Sequence, residues 1–181
     1  MVDDQRFATS RPDVITFMTE PLCDTLTLAG PIEVELMTAI SSTAADFMVK
    51  VIDVYPEKFE YSKTARSYLK SDYPMSGYQL MIRGELFRGR FRKGFDNPLP
   101  FKPEEITPVN YTLYDVAHTF LPGHRLMIQI QSSWFPIIDR NPQRIIDTYH
   151  CTVEDFVMKQ KIKIYHQQGA ASRVILPVVK K

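Results

Sequence analysis

GHRLMIQIQSSWFPIIDRNP (123–142) places a histidine, two serines and an aspartate close together in the chain. A nucleophilic triad could be drawn from His124, Ser132 or Ser133, and Asp139. The same letters also spell a strand and a turn. After the Pro-Gly pair at 122–123, Leu126, Ile128 and Ile130 alternate with Met127, Gln129 and Gln131, and the alternation stops at Pro136. On such a strand His124 and Ser132 lie about 26 Å apart at ~3.3 Å per residue, so they cannot meet. No G-x-S-x-G elbow occurs in the chain to present an exposed serine. Asp139, Arg140, Asn141 and Pro142 then form a turn, because short Asp and Asn side chains bond nearby backbone N–H groups and proline ends the ladder; the turn is expected to be held by its own backbone hydrogen bonds and an Arg140 ion pair, and Phe135 to lie in the core.

The strand reading spreads outward. Val14–Glu20, Thr25–Ala29 and Ile32–Ile40 alternate as half-buried strands, and Gly30-Pro31 separates the last two. FMVKVIDVY (47–55) is apolar on both faces, with Phe47, Val49, Val51 and Asp53 on one side and Met48, Lys50 and Ile52 on the other. A central, doubly covered strand follows. Residues 56–74 lose the alternation and read as a long exposed connection or lid. Tyr78–Ile82 is strand-like, 83–95 irregular and basic, and 106–120 alternates again. VEDFVMKQ (153–160) suggests one or two helical turns before strands in KIKIYH (161–166) and SRVILPVV (172–179). Thirteen prolines and scarce helical periodicity predict an all-β chain, an antiparallel β-sandwich of jelly-roll type with long connections, in a single domain over 1–181.

Composition narrows the function. Lys and Arg total 22 against 21 Asp and Glu, so no global field steers the chain to nucleic acid or an anionic membrane. The acidic start MVDDQRF is unlike a signal peptide, no apolar run reaches membrane-spanning length, and the chain reads as soluble with its compartment open. Cys23 and Cys151 read as free thiols. His118, His124, His150, His166 and Cys151 lack converging metal-ligand spacing, so no metal or other cofactor is expected. The arginine-phenylalanine run at 83–95 is expected to dock on an acidic neighbour in preference to single-stranded nucleic acid. Tyr55, Tyr61, Tyr68, Tyr73 and Tyr78 keep a second reading open, a free-standing carbohydrate-binding jelly roll with an aromatic platform.

The 123–142 stretch resembles the G-H-R…S-S-x-F-P-x-x-D-R-N-P signature in the C-terminal domain of the Xaa-Pro dipeptidyl-peptidase and cocaine esterase group of serine hydrolases. DQRFATSRPDV, TEPL and LAGPIEVEL look like the opening of that domain, and DFMVKVIDVYP like its central strand. MSGYQLMIRGELFRGRF is similar to the α-amino-acid ester hydrolase and acylase branch. The resemblance runs from Asp4 to about Pro177.

What it implies is a parent that cleaves acyl ester or amide bonds through an acyl-enzyme, with its triad in an α/β-hydrolase domain and a helical cap that this chain lacks. None of the family's catalytic residues falls on a position here. The chain itself is expected to be non-catalytic and to pack on the hydrolase and cap domains of the same polypeptide. Asp139, Arg140, Asn141, Arg88 and Arg90 are candidates for the interdomain surface, and homo-oligomer contacts are left open.

Overall fold

A computed structural model describes residues 2–68 and 73–180. Two antiparallel sheets face each other. The first contains β1 (Ile15–Met18), β6 (Arg125–Gln131), β3 (Asp46–Val54) and β4 (Gln79–Arg88), in that order across the sheet. The second contains β10 (Arg173–Ile175), β2 (Leu26–Ile40) and β5 (Thr107–Phe120), with β7 (Ile162–Ile164) also paired to β2. A short hairpin joins β8 (His166–Gln167) to β9 (Ala170–Ala171).

β3 is buried along its whole length, as its two apolar faces require. Phe47, Val49 and Val51 pack inward with Leu28, Val34 and Leu36 of β2 and Val109 and Leu113 of β5, forming one core between the sheets. The outer face carries Met48, Lys50 and Ile52. Over it lies the N-terminal strap with the one-turn helix α1 (Arg6–Thr9), whose approach is fixed by Gln5 N–H donating to the Gln79 carbonyl at 3.0 Å.

Three expectations need correction. Thr25–Ala29 and Ile32–Ile40 are one 15-residue strand, because Gly30 takes φ 119° and the register against β5 shifts between Gly30 and Ile32. The Gly-Pro pair therefore makes a bulge, where the sequence suggested a break. Residues 83–88, read as irregular, continue β4: Arg83 pairs with Val51, Glu85 with Val49 and Phe87 with Phe47. Phe135, expected in the core, is 58% exposed. Trp134–Phe135 leave the sheet in the turn that follows β6, while Phe47 and Phe101 meet in the core.

In the 56–74 connection, α2 (Lys63–Tyr68) is a short helix, and residues 69–72 of the expected lid lie outside the described residues. The 153–160 stretch makes a single 3₁₀ turn at Val153–Asp155, closed by a capping box between Thr152 and Asp155.

Candidate functional site

Arg88 stands at the end of β4 directly across from Asp46, the first residue of β3. Its Nη2 donates to Asp139 Oδ1 at 2.6 Å, and its Nε lies 3.6 Å from Asp46 Oδ2. Asn141 Nδ2 donates to the other Asp46 oxygen at 2.6 Å, and Asn141 Oδ1 accepts from the Gln143 backbone N–H at 2.7 Å. The D-R-N turn is thus pinned to β3 and β4 by side chains. Burial pushes the Asp46 carboxyl up to about 6, against the opposing pull of the Asn141 hydrogen bond and the Arg88 charge. Arg88's hydrogen bond holds Asp139 below its ordinary range.

The sequence reading gave Arg140 an ion pair in this turn. The guanidinium on Asp139 is Arg88's, while that of Arg140 lies 5.4 Å from the Phe156 ring centroid. Arg90 lies over Phe91 at 4.8 Å and donates to the Ile146 carbonyl. Around these residues is an open cavity of about 570 Å³ whose walls include Phe91, Ile138 and the exposed Phe95 and Tyr149. Arg88 is engaged by carboxylates of this chain and Arg90 by a carbonyl, although Arg90 Nε is buried without a partner among the described residues, and exposed aromatics ring the corner. Arg92 follows the same rule, donating to the Gly89, Leu99 and Pro100 carbonyls.

The triad residues are dispersed. His124 Nδ1 donates to Asp53 Oδ1 at 2.7 Å, Ser133 Oγ accepts from Phe135 N–H, and Asp139 holds Arg88. His118 Nε2 donates to the second Asp53 oxygen at 2.8 Å. Asp53 belongs to the first sheet, His118 to β5 of the second, and His124 to the turn before β6. One buried carboxylate therefore ties both sheets and a turn together. Because both oxygens are taken, the imidazoles diverge, and among the described residues no three His, Cys, Asp or Glu side chains converge as metal ligands. Sequence reasoning passed over this cluster. Its signal was Asp53 itself, a carboxylate on the inward face of a central strand, which needs partners.

Lys50 was also passed over. It is 0% exposed, its Nζ donates to Gln5 Oε1 at 2.8 Å, and it lies 5.4 Å from the Phe7 ring centroid. Burial, with a smaller contribution from Arg11, lowers its pKa to about 8.

Residues 2–175 match the family described as the X-Pro dipeptidyl-peptidase C-terminal non-catalytic domain. The chain is 28% identical over 178 residues to the cocaine esterase of Rhodococcus sp. strain MB1 Bresler, covering 98% of itself but 28% of that protein. A solved α-amino acid ester hydrolase superposes with a TM-score of 0.86 at 39% identity, over 98% of this chain and 27% of that one. An aminopeptidase from a marine-sediment Thaumarchaeota archaeon gives 0.87 at 35% identity, over 99% and 28%. This chain spans just over a quarter of the length of these relatives, and it belongs to the family of X-Pro dipeptidyl-peptidase C-terminal non-catalytic domains.

Proposed function

We propose that this domain packs on the α/β-hydrolase body and helical cap of a serine hydrolase acting on ester or peptide bonds, and that its Arg88–Asp139 corner is part of the contact. The observation that carries the reading is the corner's composition. Arg88 is paired with Asp139 and Asp46 while Phe95, Tyr149, Phe135 and Ile137 remain exposed around them, a combination suited to burial against another protein surface. The hydrolytic chemistry belongs to the body; this chain contributes packing surface and no nucleophile.

The carbohydrate-module reading needs an open aromatic platform. Tyr55, Phe59, Tyr61, Tyr73 and Tyr78 instead meet edge-on at 5.1–6.2 Å between centroids, so they form no flat platform, and the strongly exposed Tyr68 makes none of these contacts.

The test is a graft. In the α-amino acid ester hydrolase, this chain replaces the matched domain, and ester turnover and thermal stability are compared with a truncation lacking the domain. The graft is expected to keep turnover that the truncation loses, and Arg88→Glu to lower the graft's melting temperature more than that of the isolated chain. A truncation as stable and active as the graft would sink the reading.

A further inference from the structure

The two long sides of the sandwich are finished differently. On the β4–β5 side, Phe87 stacks on Tyr111 with centroids 4.9 Å apart and planes 10° from parallel, and Arg83 reaches across to the Asp115 carbonyl. Those contacts seal that side. On the other side, where β1 ends the first sheet and β7 and β10 flank β2, the sheets part around two adjoining cavities of about 460 and 550 Å³. Their shared walls are aliphatic: Ile15 of β1, Ile130 of β6 and Ile164 of β7, with Phe17 and Val174 further along. Ile15 and Phe17 are exposed.

The aliphatic wall is rimmed by charge in the first cavity, where Asp13, Lys161 and Lys163 also line it. Among the described residues β1 pairs with β6 alone, so its other edge is open to an extended peptide, which adds to such an edge through its own backbone N–H and C=O groups.

We propose that this seam seats an extended apolar segment from the hydrolase portion of the same polypeptide. The segment adds a strand beside β1 and places aliphatic side chains between the sheets. The inference rests on the packing reading above. Its choice of occupant comes from chain length and tethering. In the relatives roughly three quarters of the polypeptide lies outside the matched stretch, and a C-terminal domain receives that remainder through its N-terminal strap. Here the strap crosses the outer face of the sheet that β1 borders, and its Pro12 and Asp13 form part of the first cavity's lining. A body tethered there reaches the seam at high effective concentration.

Hydrogen exchange read by mass spectrometry on the isolated chain and on the graft tests this. Amides of Ile15–Met18 and Ile162–Ile164 are expected to exchange at least about tenfold more slowly in the graft, a change of about 1.4 kcal/mol in local opening. Phe17→Asp in the graft should restore their isolated-chain rates while residues 137–141 stay protected. Protection at 137–141 with an unchanged seam would overturn the seam inference and leave the packing reading standing. Protection at neither place would overturn both. Concentration-dependent protection of Ile15–Met18 in the isolated chain, with a dimer by gel filtration, would assign the seam to a second copy and overturn the inference.

Discussion

Asp53 concentrates more structural consequence than any residue of the D-R-N turn. Replacing it with alanine strips both imidazoles of their acceptor, one of them in the buried His124, and should cost about 3–5 kcal/mol in a urea melt, the range for breaking a buried ionic contact. His118→Ala should cost less, since that ring is partly exposed. Lys50 gives a prediction in pH. The unfolded chain keeps the lysine proton up to about pH 10.5, whereas the folded chain releases it at about 8. Between those values the unfolded state binds more protons, so stability rises with pH. Wild type should therefore gain on Lys50→Met across that window, by up to roughly 3 kcal/mol at about 1.4 kcal/mol per pH unit. A constant difference between the two proteins from pH 7 to 10.5 would refute the buried charge. Phe135→Ala, at an exposed site, should cost under about 1 kcal/mol, while Phe47→Ala in the core should cost about 3–5.

At the scale of elements, Gly89 is where β4 turns out of its sheet. A Cβ there would sit 2.8 Å from Phe101 and 2.9 Å from Phe47, both core rings. Gly89→Ala should destabilise by about 1–3 kcal/mol. Gly84→Ala should be milder, because the closest atom to its Cβ is the terminal methyl of Met48, which can move. A larger loss at Gly84 than at Gly89 would contradict this packing. These elements also show what a sequence discloses. β3, β5 and β6 were legible because alternation of period two reports a strand wherever one or both faces are dry. The second half of β4 was not, since Arg83 and Glu85 point inward at a sheet edge where their polar ends reach backbone or water, and alternation by polarity fails there. The D-R-N corner was legible as a turn, but its Arg88 partner was not. That pairing depends on β3 and β4 register across residues far apart in sequence, as does the junction of Asp53 with His118.

For the whole molecule, the isolated chain should turn over neither nitrophenyl esters nor dipeptidyl-proline amides, because His124 is committed to Asp53 and neither Ser132 nor Ser133 is its partner. Activity that disappeared in Ser132→Ala or Ser133→Ala protein would show otherwise. The strand pairings carry a different consequence, for biosynthesis. β1 and β2 are the first strands to leave the ribosome, yet Ile15 pairs with Ile130 and Leu26 with Phe120. Among the described pairings of the two sheets, β3 with β4 is the one that can close early. A 15-residue strand with one apolar face must wait, unpaired, for most of the domain to be translated. Refolding dominated by such distant pairings belongs in the millisecond-to-second range. During that delay β2 is the segment a chaperone would hold, and slowing translation over β5 and β6 should lower the soluble yield of this domain more than slowing it over β3 and β4.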